Sequence, residues 1–285
     1  MNADVPEIRV VCVTYHPGAE LEDFMETLAA ASTVPVEIVF VENGADPAIA
    51  RRVADDHGAT VVETGANLGY GTAANRGAAG ASGEWLVLAN PDVQWVAGSL
   101  DELVRAARRH PRAGALGPAM LNLDGTVYPS ARALPSLRTG AGHALLVHVW
   151  PRNPWTKAYL KTQENNQGVE HETGWLSGAC LLLRREAFVE VGGFDESYFM
   201  FFEDVDLGDR LARAGWSNVY VPTARVVHDQ GSSWRERPAA MIRAHHRSAE
   251  QYLRRKYAAW YLFPLRWAIA TGLRARSWIQ IRATR

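Results

Sequence analysis

Three groups of residues in this 285-residue chain have types and spacing that could do chemistry. The first is Asp92, at the end of Trp85-Leu-Val-Leu-Ala-Asn-Pro-Asp. An apolar run cut off by Asn90 and Pro91 reads as a buried strand that stops abruptly, and in a parallel sheet that edge is where ligands sit. Asn-Pro-Asp alone is ordinary turn chemistry. The second is His228, just past another apolar strand pattern. A histidine there is by itself most often a satisfied core residue. Together with Asp92 it offers oxygen and nitrogen donors that phosphate oxygens could complete around Mg²⁺ or Mn²⁺, a site that neutralises a departing diphosphate. The third is Glu203, Asp204 and Asp206, in the first turn of an expected helix behind Phe199-Met-Phe-Phe202. Acids there complement the helix dipole, but three exceed that need. A carboxylate among apolar neighbours has its charged form disfavoured, which fits it to take a proton from a hydroxyl. Neighbouring positions lie about 100° apart around a helix axis, so spacing does not choose among the three.

These groups need a scaffold, and the N-terminal half supplies a regular one. Residues 8–14, 36–41 and 59–63 read as strands separated by helical patterns, one carrying Leu21, Phe24, Met25 and Leu28 on a single stripe. That alternation predicts a mostly parallel, Rossmann-like α/β sheet with right-handed crossovers and helices on both faces. Gly69 and Gly71 precede an Ala-rich helix whose N-terminus could hold a phosphate or ribose. No Gly-x-Gly-x-x-Gly follows the first strand, which disfavours a dehydrogenase. A helix is expected over about residues 98–110, a less regular second half from Gly114, a hairpin at Asp124-Gly125, and a long loop with short helices over 134–172. Further strands are expected at 218–221 and 224–227, and the acidic helix is expected to stop at Gly215.

Nearly half the residues are apolar, enough for a substantial core. Cys12 and Cys180 lie in apolar runs, as reduced buried thiols do, and the N-terminus carries no secretory pattern, so a cytoplasmic protein is expected. Net charge is −1, yet residues 235–285 hold 12 Lys/Arg against 2 Glu, leaving the body acidic. The tail, taken as a helical extension over 236–285 beside a main domain over 1–235, also contains Trp260, Tyr261, Phe263 and Trp267. Pro264 and Arg266 interrupt it short of the roughly 18 apolar residues of a spanning helix. Aromatics interleaved with Arg suit the headgroups of an anionic bilayer, so peripheral membrane contact is expected, and no nucleic-acid partner.

In order, the motifs are Val-Thr-Tyr after the first strand, an acid with Asn-Gly after the second, Asn-Leu-Gly-Tyr-Gly-x-x-x-Asn-Arg-Gly, Leu-x-Asn-Pro-Asp, Trp-Leu-Ser-Gly-Ala, Gly-Gly-Phe-Asp-Glu, Glu-Asp-Val-Asp-Leu and a later His. Over about residues 8–228 this series resembles the inverting family 2 glycosyltransferases of the GT-A fold. Within them it is most similar to the actinobacterial rhamnosyltransferases that extend decaprenyl-diphosphoryl-N-acetylglucosamine in arabinogalactan linker assembly. The resemblance implies a nucleotide-sugar donor, dTDP-rhamnose, a polyprenyl-diphosphate-linked acceptor, a divalent metal, and work at the inner face of the plasma membrane. It assigns Thr14, Tyr15 and Glu42 to the nucleobase and ribose, and Asn67, Gly69 and Asn75 to the nucleotide pocket. Asp92 becomes the metal-binding acid of an Asp-x-Asp-type motif whose first acid is Asn90 here, and His228 meets the metal or diphosphate. Trp175, Ser177, Gly178 and Glu203 fall near the sugars, with the Trp175 ring available to a pyranose face, Arg132 near a phosphate, and Asp204 as general base.

Two other readings compete. A nucleotidyltransferase generally needs a basic, Gly-rich signature after the first strand, and His16-Pro17-Gly18 supplies no Lys or Arg. A non-catalytic sugar-binding protein would have no need of the acids at 92, 203, 204 and 206.

Overall fold

The architecture is taken from a computed structural model that describes residues 7–136, 150–165, 167–229 and 238–283. The strands β1 (Ile8–Thr14), β2 (Val36–Glu42), β3 (Thr60–Glu63) and β4 (Trp85–Ala89) alternate with α1 (Glu20–Ala31), α2 (Ala48–His57) and α3 (Tyr70–Ala78). β1 pairs in parallel with β2 and with β4, Cys12 lying opposite both Phe40 and Ala89, and β3 extends the parallel set on β2. β1 and β4 are almost entirely apolar because both faces of the sheet are covered: one core holds Phe24, Phe40, Trp85 and Leu100, the other Val11, Leu88, Phe194 and Leu211. α3 lies so close to β1 that a Cβ at Gly77 would sit 2.4 Å from Val11 Cγ1.

Next along the chain come β5 (Val93–Trp95), α4 (Ser99–Arg109), β6 (Ala113–Leu121), β7 (Val127–Tyr128), β8 (Ala131–Arg132), α5 (Pro154–Leu160), α6 (Thr162–Asn165), β9 (His171–Thr173), β10 (Trp175–Leu176), β11 (Cys180–Arg184) and α7 (Arg185–Glu190). The chain then forms α8 (Glu203–Arg213), β12 (Ser217–His228), α9 (Pro238–Lys256) and α10 (Phe263–Ala283). The main sheet runs β3-β2-β1-β4-β11-β6-β12-β5. It is parallel through β4 and mixed beyond it, since β11 is antiparallel to both its neighbours while β12 is parallel to β6. β11 reverses because the chain re-enters the sheet at the edge where β4 ends, pairing Cys180 with Ala89.

Two expectations change in detail. The segment from Gly114, expected to be irregular, is the buried strand β6, and the Asp124-Gly125 turn joins it to β7. The two short strands expected around Pro222 are one strand, β12, because a bulge between Val221 and Arg225 absorbs the proline without ending the pairing. The expected junction at 235/236 lies outside the described residues. α9 packs on the body through Ile242, His246 and Tyr252, whereas α10 has no buried residue. Both cysteines are buried and free. Among the described residues no helix is long and apolar enough to cross a membrane.

Candidate active site

The sequence-selected groups meet at one edge of the sheet through a chain of backbone links. Asn90 N–H, just past β4, donates to Ala179 O at 2.9 Å. Gly178 N–H, one residue earlier on the incoming strand, donates to Asp204 Oδ2 at 3.0 Å. Its carbonyl accepts from the Tyr70 hydroxyl at 2.6 Å. The turn before β11 therefore holds both the end of β4, three residues before Asp92, and the first turn of α8, which carries Asp204.

Asp92 and His228 come together because β5 and β12 are antiparallel, with His228 opposite Val93. His228 Nε2 lies 3.1 Å from Asp92 Oδ1, and buried Nδ1 of His228 has no partner among the described residues. Among the described residues no third His, Cys, Asp or Glu joins them. A carboxylate beside an imidazole suits a cation that takes its other ligands from water and phosphate oxygens.

The three acids of α8, alike in sequence, occupy three environments. Phe201 and Phe202 both adopt φ 65°, turning the chain sharply into the helix. Such left-handed non-glycine residues cost about 1–3 kcal/mol each and concentrate at functional sites. Asp206 pairs with Arg210 at 2.6 Å, a bridge within the helix. Asp204 accepts from Gly178 N–H and, at 2.8 Å, from Val205 N–H. Burial raises its pKa above the ordinary aspartate value, and those two donors and the nearby Arg132 cation limit the rise. Glu203 is buried with Oε2 unpartnered, and burial, then the Asp204 charge, push its carboxyl up to about 8. At neutral pH the geometry therefore keeps Glu203 protonated and favours the negative charge on Asp204.

On the β1–β2 side, Glu42 is fully buried and accepts from Thr14 Oγ1 at 2.6 Å and from Gly44 N–H at 2.7 Å. Tyr15 stands 42% exposed at the mouth of the site. Asn43, which sequence reading passed over, ties the Gly-rich turn down: its side chain meets Asn67 Oδ1, Gly69 O and Leu68 N–H. Gly69 has φ 86°, and a Cβ there would fall 2.1 Å from Phe199 O, so only glycine lets the two loops touch. Asn75 is used elsewhere, since its amide exchanges hydrogen bonds with Phe194 N–H and O and so fixes the turn before α8.

On the other side, β8 and β10 pair as a small second sheet that sets Arg132 opposite Trp175. Trp175 is 6% exposed, its indole N–H donates to Ala133 O, and the Arg132 guanidinium stands 5.2 Å over its ring. The ring thus carries an arginine. Arg132 also bonds Tyr128 Oη at 2.5 Å, while Ser177 N–H donates to Ser130 O at 2.8 Å. Tyr70 is the other group missed. Burial and then Glu203 hold its phenol well above its ordinary pKa, so it stays a donor; its signal was a polar aromatic inside the Gly-rich motif.

The family described as Glycosyltransferase like family 2 aligns with residues 6–250. The chain is 48% identical to the N-acetylglucosaminyl-diphospho-decaprenol L-rhamnosyltransferase of Mycobacterium tuberculosis, over 96% of this chain and 93% of that one. It is 34% identical to the O-antigen biosynthesis protein RfbC of Myxococcus xanthus over 72% of this chain and 15% of that protein. Among solved structures, the mannosyltransferase PcManGT from Pyrobaculum calidifontis in complex with GDP-Man and Mn²⁺ superposes with TM-score 0.58 at 20% identity, covering 87% of this chain and 65% of that one. GalNAc-T7 with UDP, GalNAc and Mn²⁺ gives 0.57 at 17% identity, covering 80% and 44%. The fold is thus GT-A, and the chain belongs to the family 2 glycosyltransferases.

Proposed function

We propose that this chain is an inverting rhamnosyltransferase that moves L-rhamnose from dTDP-rhamnose onto a polyprenyl-diphosphate-linked N-acetylglucosamine, as a step in cell-wall polysaccharide assembly. The observation that carries the reading is the shared edge: a carboxylate held by Gly178 and Val205 on one side, the Asp92–His228 pair on the other. Near-full-length identity of 48% to a rhamnosyltransferase supports the choice of sugar and acceptor.

Thr14, Tyr15 and Glu42 take the thymine and ribose, Glu42 accepting the ring N3–H with lone pairs that Thr14 and Gly44 leave free. Asn67 and Gly69 shape the turn against the nucleotide, with Asn75 acting behind it through Phe194. Asp92 and His228 would hold a divalent cation, Mg²⁺ or Mn²⁺, which when bound supplies positive charge to the departing diphosphate. Ser177, Gly178 and Glu203 border the acceptor, and Arg132, set on Trp175, faces a phosphate. As the acceptor hydroxyl oxygen bonds to the anomeric carbon from the face opposite the diphosphate, that carbon's bond to the phosphate oxygen breaks and dTDP leaves. Asp204 receives the hydroxyl proton. Protonated Glu203 spares Asp204 a neighbouring negative charge. Membrane association comes through α10, where Trp267, Trp278 and Ile279 are exposed on a segment with no acidic residue after Glu250.

The test is transfer from a panel of nucleotide sugars to a short-chain prenyl-diphosphate N-acetylglucosamine, reading the anomeric configuration of the product by NMR. Preferred turnover of dTDP-rhamnose with inversion is expected. Equal rates with other donors would remove the sugar assignment, and retention would remove the mechanism.

A further inference from the structure

The two C-terminal helices enclose a second cleft of about 1070 Å³, apart from the site already described. α9 contributes Arg243 and Arg247 to it, α10 contributes Arg274, Trp278 and Arg282, and Phe199 lies on its floor. Among the described lining residues Glu250 is the one carboxylate, and Arg274 holds it at 2.9 Å. Arg243 and Arg247, one helical turn apart and exposed, make no ion pair among the described residues. Guanidinium groups that line one cleft can share an anion, and their planar forks match phosphate oxygens.

Two observations say which anion. The floor belongs to the catalytic machinery. Ser248 of α9 donates to Met200 O at 2.8 Å, Phe199 O receives Tyr70 N–H at 3.1 Å beside Gly69, and four residues after Phe199 the chain becomes the Glu203–Asp204 turn. The rim is apolar. Trp278 lines the cleft on the same stripe as Arg274 and Arg282 and is 56% exposed, and Ile279 and Trp267 of α10 are exposed as well. A ligand seated there would have its charge in the cleft, one end directed to Asp204 and the other to an exposed apolar face.

We propose that this cleft receives the diphosphate of the lipid-linked acceptor, with the sugar reaching across residues 199–202 toward Asp204 and the polyprenyl chain leaving along α10. The inference rests on the reading above that the acceptor is a lipid diphosphate, and its test is independent of turnover. Calorimetric titration of the full chain with a sugar-free short-chain prenyl diphosphate, in solution and without membranes, should show saturable binding. Arg243→Ala/Arg247→Ala should weaken it by about 100-fold, one factor of ten for each arginine–phosphate hydrogen bond removed. The pair Arg243→Lys/Arg247→Lys keeps charge but not the fork and should fall between. In the transfer assay the Ala pair should raise acceptor KM and leave donor KM and melting temperature unchanged. Unchanged prenyl-diphosphate affinity in the Ala pair overturns the proposal. So does a variant that loses only its binding to phosphatidylglycerol vesicles, which would make the cleft a phospholipid site. Wild-type protein that binds the prenyl diphosphate through these arginines, yet transfers no rhamnose, would leave the cleft standing and remove the proposed reaction instead.

Discussion

Replacing Asp204 with asparagine keeps the side-chain shape and removes the proton acceptor. The carboxylate now serves two backbone donors, Gly178 N–H at 3.0 Å and Val205 N–H at 2.8 Å. An amide has one oxygen for two N–H groups, so one donor must face the asparagine NH₂. An unsatisfied group of this kind costs about 1–3 kcal/mol. For a chain of this size each kcal/mol lowers Tm by roughly 2–4 °C, so a fall of a few degrees is expected by circular dichroism. Loss of the base should lower kcat about 10²–10⁴-fold. Donor KM should hold, because the Thr14–Glu42 pair and the Asn43–Asn67 turn do not bond to Asp204. Release of dTDP under saturating donor and acceptor is the assay, with Asp204→Ala as a companion that frees both N–H groups for water. A folded Asp204→Asn enzyme turning over at the wild-type rate would refute the assignment.

Glu203 makes stability depend on pH in a sense opposite to most acids. Its folded-state carboxyl, raised to about 8, keeps a proton that the unfolded chain loses near pH 4.5, so stability is fullest below that and falls as pH rises through 8. The loss is on the order of a few kcal/mol, and Glu203→Gln should flatten Tm between pH 5 and 9; an unchanged slope would show that Glu203 ionises freely. Gly69→Ala must strain a φ of 86° and drive a Cβ into Phe199 O. It should raise donor KM and lower Tm, and a variant normal in both would show that the two loops part readily. Asp92→Asn and His228→Ala should each raise the Mg²⁺ or Mn²⁺ concentration for half-maximal rate about tenfold or more, the equivalent of one charge-assisted interaction. A chelator should abolish wild-type turnover; activity that survives it would remove the cation from the proposal.

The N-terminal half was legible because its signals are local. Apolar runs of strand length, stripes at helical spacing and turn residues between them set β1 to β4 and their crossovers without reference to distant residues. The second half was less so, since β6 carries glycines and a proline and is recognisable as a strand only by the β11 and β12 it lies between. Motif order singled out residues that the fold gathers at one sheet edge but could not say what each one touches. Sequence could not show that the Trp175 ring carries Arg132, nor that Asn75 bonds the backbone of Phe194.

By itself the sequence determined which residue types were present and in what order: an acid after a strand, acids at a helix start, a histidine past the last strand. Only the tertiary structure decided that Glu203 and Asp204, neighbours of nearly equal intrinsic acidity, differ in proton affinity. The reason is that ionisation is set by solvent and hydrogen-bond donors in space. Two backbone N–H groups, one brought in by Gly178 from a distant strand, reach one carboxylate and leave the other buried with an oxygen unpaired.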